Sequence, residues 1–213
     1  MTVSSRPGNW VARLQRFARD RHAAAEYCEL CSVPLPPDHL HLVEPAKRRL
    51  LCVCRACDLL LGDDKDNGYR RVPRRAEKLE NFRMTDAEWD ALGIPIGLAF
   101  FCQGTPGGHI LAFYPGPAGP TESLLGLSAW TQLVANNPML TEQKPDVEAL
   151  LVNRINGARE YYRVPIDRCY ALVGLIRTHW RGVSGGDEVW KAILDFMSDL
   201  REQRDGTGAY HHG

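Results

Sequence analysis

Two Cys-x2-Cys pairs, Cys28/Cys31 and Cys54/Cys57, are the residues of this 213-residue chain whose types and spacing point most directly to chemistry. Such a turn brings two sulfurs to one side of a tight loop, and two facing turns supply the tetrahedral thiolate cage that zinc prefers. Zinc is the expected metal and iron the alternative. Four thiolates close the coordination sphere and leave no place for an activated water, so the site is expected to be structural, with no catalytic residue assigned. A module this short lacks a core of its own and is expected to unfold when stripped of metal.

Three neighbours and four cations are candidates for flanking the site. Cys52 shares a strand face with Cys54 by alternation, and His39 and His41 share the face opposite Leu40 and Leu42. Arg55, with Lys47, Arg48 and Arg49, offsets the formal charge of −2 on a four-thiolate centre. Seven cysteines is an odd number, and their pairing favours metal over disulfides in a reducing compartment. Cys102 and Cys169 stand apart as buried, inert thiols.

The elements that must hold these residues follow from periodicity and turn chemistry. Trp10, Leu14, Phe17 and Ala23 recur at helical spacing, so residues 9–27 read as an amphipathic helix leading into the first pair. Between the pairs, residues 39–43 and 49–53 read as strands joined around Glu44-Pro45-Ala46. Residues 63–68 form a charged turn whose carboxylates are out of phase for a calcium loop, and residues 69–75 suit an edge strand.

Farther on, Thr85 and Glu88 make a capping-box signature, and residues 96–102 and 109–114 are the arms of a buried hairpin. Residues 115–120, Pro-Gly-Pro-Ala-Gly-Pro, are expected to be an exposed loop. A helix over 128–136 precedes strands over 147–155 and 160–164 that turn at Asn156-Gly157. Pro165 opens a helix carrying Ile166, Tyr170, Val173, Ile176 and Trp180, and residues 187–204 form another with Val189, Ile193, Phe196 and Leu200 inward.

The expected class is α+β: an N-terminal helix (1–27), a zinc-ribbon-like four-cysteine module (28–82), a larger α+β domain with C-terminal helices (83–204), and a frayed tail (205–213). Composition is that of a globular protein, 44% hydrophobic and 24% charged. Residues 1–80 carry 15 Lys+Arg against 11 Asp+Glu within a chain of zero formal charge, too mild an excess for a salt-dependent grip on nucleic acid. A nucleic-acid adaptor using Arg13, Arg16, Arg19, Arg48 and Arg49 is therefore only an alternative. No apolar run approaches a signal sequence or membrane span, which implies a cytoplasmic protein, and no Ser-His-Asp or Walker pattern identifies a small-molecule substrate.

Two stretches are candidate partner surfaces: Tyr114, Pro115, Gly116 and Pro117 on the rigid loop, and Arg177, His179 and Arg181 near a helix end.

Three resemblances bear on function. Asp38-His39 between the cysteine pairs is similar to the zinc-bearing HNH nucleases, but Asp58-Leu59-Leu60-Leu61 stands where those enzymes place an Asn and a final His or Asn. The knuckle spacing resembles rubredoxin, which holds one iron for electron transfer, with Ser32 and Asp58 replacing its glycines. Over nearly its whole length the chain resembles an uncharacterised bacterial family encoded in actinobacterial-type, high-affinity nickel-iron hydrogenase gene clusters. The resemblance is carried by Cys28-Glu29-Leu30-Cys31, His41-Leu42-Val43, residues 51–57, residues 114–119 and residues 174–182. It implies an accessory protein that assembles, protects or docks onto a hydrogenase, with a hydrogenase subunit or maturation protein as partner.

Overall fold

The computed structural model describes residues 26–62, 67–105, 107–116, 119–124, 127–182 and 185–205. The helix expected over 9–27 lies outside them except at its end, where Tyr27 is not helical but bridges Pro34 in antiparallel fashion. The class is α+β, as the alternation of periodicities requires.

A three-stranded antiparallel sheet of order β2-β1-β3 carries the cysteine module, from β1 (Leu40–Glu44), β2 (Arg49–Val53) and β3 (Arg70–Arg71). Its hairpin turns through a short 3-10 segment, Pro45–Lys47, closed by Arg48 in the left-handed region at φ 49°. The edge strand expected over 69–75 shrinks to two residues. Helix α1 (Arg55–Leu61) follows β2 directly.

The larger antiparallel sheet has six strands in the order β4-β9-β8-β5-β6-β7. These are β4 (Glu77–Lys78), β5 (Leu98–Gly104), β6 (His109–Gly116), β7 (Gly119–Leu124), β8 (Glu148–Asn153) and β9 (Glu160–Pro165). Central β8 is buried along its whole length. Asn156 and Gly157 both take positive φ (53° and 81°) between β8 and β9, the geometry an Asn-Gly step supplies at least cost.

Alternation sends successive side chains to opposite faces, and each face has its own helices. Leu98, Phe100, Leu151 and Tyr162 pack with α4 (Ile166–His179) and α5 (Gly186–Asp205). Ala99, Phe101, Leu150 and Tyr161 face α2 (Asp86–Ala91) and α3 (Leu127–Asn136) through Trp89 and Leu133. The capping box of α2 is complete, with Thr85 and Glu88 satisfying each other's backbone amides. On α5, Met197 takes the fully buried place expected of Phe196, which packs partly buried beside it.

Within the run 115–120, expected to be an exposed loop, the described residues 115, 116, 119 and 120 are strand. Pro115 lies opposite Pro120, and Gly116 opposite Gly119, as a continuation of the β6–β7 ladder. The β5 pairing reaches only as far as Phe113, so beyond it β6 has a free edge where a proline's missing N–H leaves nothing unpaired.

The two sheets do not have separate interiors. Val43 of β1 and Val72, just past β3, are buried in the same cluster as Leu98 and Ile176. The cysteine module is thus tied to the α4/α5 face of the larger sheet. Among the described residues no helix is long and apolar enough to cross a membrane.

Candidate metal centre

The first cysteine pair sits on a knuckle made by local backbone bonds. The Cys28 amide donates to Val33 O at 2.8 Å, and Ser32 donates back to Cys28 O at 2.7 Å. Ser32 closes the turn in the left-handed region at φ 61°, the conformation for which rubredoxin-type knuckles use glycine. The second pair sits at a helix start. Cys54 is the N-cap of α1, and its sulfur accepts from the Cys57 amide at 3.5 Å.

These two turns bring the sulfurs of Cys28, Cys31, Cys54 and Cys57 within 4.8 Å of one another, with Cys31 and Cys54 at 3.6 Å. Zinc–sulfur bonds of about 2.3 Å in a tetrahedron put ligand sulfurs roughly 3.8 Å apart, close to the spacing of this cluster. The donor chemistry also fits. Burial opposes ionisation of Cys28, but hydrogen bonds from the backbone of Cys54, Leu30 and Cys31, and from the Cys31 thiol, outweigh it and lower its pKa to about 6. Those hydrogen bonds favour the thiolate form of Cys28. Burial pushes the Cys57 thiol up, as do its three sulfur neighbours.

Apolar packing positions the knuckles. Cys28 is buried with Leu42, Leu51 and Val53, and Leu40, Cys54 and Cys57 pack against them. This is the Leu40/Leu42 face of the hairpin.

Glu29, inside the first knuckle, fastens that loop to β2. Its backbone amide donates to Cys52 O at 2.9 Å, its carboxylate accepts from the Cys52 amide at 2.7 Å, and Arg49 completes the clasp at 2.5 Å. Burial works against the charge, but the Cys52 amide and Arg49 dominate and hold the carboxyl below its usual value. A depressed carboxylate stabilises the fold above its unfolded pKa, and that contribution is lost as pH falls through the folded value. Glu29→Gln is expected to cost about 1 kcal/mol at pH 7 by denaturant melts, a value limited by the partial exposure of both partners. The gap between wild type and variant should close under acid; a gap independent of pH would contradict the clasp.

At the second pair, Asp58 is buried and Arg71 of β3 reaches it, with Nε donating to Oδ1 at 2.7 Å and a terminal nitrogen to the Asp58 carbonyl at 2.9 Å. Gly62 leaves room for the guanidinium, since a Cβ there would lie 2.9 Å from Arg71 Nε.

The other expected site residues distribute as follows. Arg55 is exposed at the first position of α1. Cys52 does not flank the four cysteines. It lies opposite His41 in the β1–β2 ladder, and Cys52, His39 and His41 form a separate group whose ligand atoms are within 4.8 Å of one another. The alternation that placed Cys52 with Cys54 ends at Val53, because Cys54 leaves the strand to cap α1. This second grouping was missed in the sequence, although the hairpin register would have revealed it.

Cys102, expected to be buried, is half-buried and is pushed up to about 12 by burial and by Asp146, while burial also raises the thiol of fully buried Cys169. The two candidate partner stretches do not share a surface. Tyr114 packs on the α2/α3 face, whereas Arg177, His179 and Arg181 belong to the end of α4 on the other. His179 Nδ1 lies 2.9 Å from Leu175 O and Arg181 donates to Thr178 O, so both serve the helix terminus. Pro115 and Gly116 are ladder residues, and Pro117 lies outside the described residues.

A profile described as a family of unknown function, DUF5947, matches residues 27–204. No curated protein and no solved structure matches the chain significantly.

Proposed function

The chain belongs to DUF5947, a family that carries no assigned activity, and we propose from the geometry that it is a metal-binding accessory protein whose four-cysteine site holds structural zinc. The convergence of four sulfurs from two knuckles carries this reading. A closed sphere of four thiolates suits an ion that organises the chain rather than one that activates a substrate.

What such a module presents is an apolar surface. Of the six large hydrophobic residues exposed among the described ones, Tyr27, Val33, Leu59 and Leu60 belong to it, with Leu59 and Leu60 at 63% and 74%. Adjacent exposed leucines on a metal-tied helix favour a docking role. The sequence resemblance supplies the partner we propose, a nickel-iron hydrogenase subunit or one of its maturation proteins.

Elemental analysis with a visible spectrum tests the metal. Colourless protein whose zinc is lost on mutating Cys28 or Cys57 supports the reading. Red protein with thiolate-to-iron bands would replace it with rubredoxin-like electron transfer. Co-purification of tagged protein from cells expressing the hydrogenase tests the partner: its subunits or maturation factors should be captured by wild type and lost with Leu59→Asp/Leu60→Asp. Capture of neither would end the partner reading and leave the zinc site standing.

A further inference from the structure

We propose that His39, His41 and Cys52 form a second metal site, for a borderline-soft divalent cation of the zinc class, with a fourth coordination position open to a cleft between the cysteine module and the larger domain.

The site is on the opposite face of the β1–β2 hairpin from the four cysteines. Leu40, Leu42, Leu51 and Val53 turn toward the thiolates. Alternation turns His39, His41 and Cys52 the other way, and the ladder sets His41 directly across from Cys52. The ligand atoms converge within 4.8 Å and the two imidazole rings are 4.7 Å apart.

The outer contacts of the imidazoles are those that metal-bound histidines use. His39 Nδ1 is 3.0 Å from Pro36 O and 3.2 Å from a Glu26 carboxylate oxygen. His41 Nδ1 is 3.0 Å from Asp167 Oδ2 in the first turn of α4. A carbonyl and a carboxylate holding Nδ1–H fix the tautomer that leaves Nε2 with its lone pair, the arrangement of carboxylate–histidine–metal triads. A second observation is independent of these contacts. The His39 side chain is only 7% exposed, and its Nε2 is buried with no hydrogen-bond partner among the described residues. A buried acceptor with no donor is costly to the fold, and a metal ion would satisfy it.

Two imidazoles and one thiolate suit zinc, and three protein ligands leave a vacancy. His39 and His41 line a cleft of about 950 Å³, together with Arg74, Asp167, Arg168 and Tyr170. In the proposed site the fourth position faces this cleft. Binding releases the Cys52 thiol proton to solvent and joins β1 to α4 through His41 and Asp167.

Cobalt titration of the metal-free full-length chain reads both centres. The expected result is two equivalents: one with the intense thiolate-to-cobalt absorption of four sulfurs, and one whose charge-transfer band is about one quarter as strong. The second should vanish in His39→Gln/His41→Gln and in Cys52→Ser while the four-sulfur spectrum persists, which also shows that the variants fold. Azide should shift only the second set of bands. A titration ending at one four-sulfur equivalent, or a second equivalent unchanged in the histidine variant, would overturn the site. A second equivalent insensitive to azide would overturn its open position.

Discussion

Cys28→Ser is expected to remove the four-sulfur metal equivalent and abolish the ordered fold of residues 28–62. Cys28 is the most deeply buried of the four cysteines and already holds its proton weakly, with a pKa of about 6, so it contributes the best thiolate and sits where serine has no comparable donor. Structural zinc contributes on the order of 10 kcal/mol to small modules, more than the few apolar residues around this site supply. The damage should not stop at the module, since Val43 and Val72 belong to the core shared with α4 and α5. Hydrogen exchange is the discriminating measurement: amides of β1 and β2 should lose protection first, with partial loss in α4, while Phe101 and Leu150 stay protected on the far face. A variant that keeps its metal and its melting temperature would show that the thiolates are not tied to one ion. Acid should mimic the substitution, because protons compete with the metal for the ligand thiolates.

Asp58→Ala carries the next largest expected effect, about 2–3 kcal/mol of stability. Its carboxylate is 7% exposed and receives Arg71 Nε, and the same guanidinium bonds the Asp58 carbonyl, so one arginine holds both the side chain and the backbone of the residue after Cys57. Removing one partner of a buried pair strands the other charge and typically costs 3–5 kcal/mol; the partial exposure of Arg71 brings the figure down. Asp58 also lies in the first turn of α1, where a negative charge is favoured. Denaturant melts of the metal-loaded protein should show the loss, with Asp58→Asn intermediate because it retains an acceptor. Equal stability of wild type and alanine variant would mean that the pair does not support the second knuckle.

The parts of this molecule that were legible in the sequence are those fixed by short-range rules. Paired cysteines, a capping box at Thr85 and Glu88, and the Asn156-Gly157 turn each specify their own geometry, and the structure has all three. What could not be read depended on which strand lies beside which. Pro115 and Pro120 signal a loop by composition, and a ladder admits them because the β5 pairing stops at Phe113 and β7 is the edge strand of its sheet. Alternation makes Cys52 share a face with Cys54 only if the strand continues, and the chain leaves the strand at Cys54. The separation of Tyr114 from Arg177 and Arg181 likewise follows from sheet order, which local sequence does not encode.

The division of β1 and β2 between two sets of ligands makes frame as important as composition there. Deleting one residue between Arg49 and Val53 would rotate all that follows by half a pleat, turning Cys52 toward the leucines and presenting Val53 to the imidazoles. Both clusters would be lost together, although every cysteine and histidine remained in the chain. Length changes in this hairpin should therefore be far less tolerated than most single substitutions, and a mutational scan that includes deletions would show the contrast.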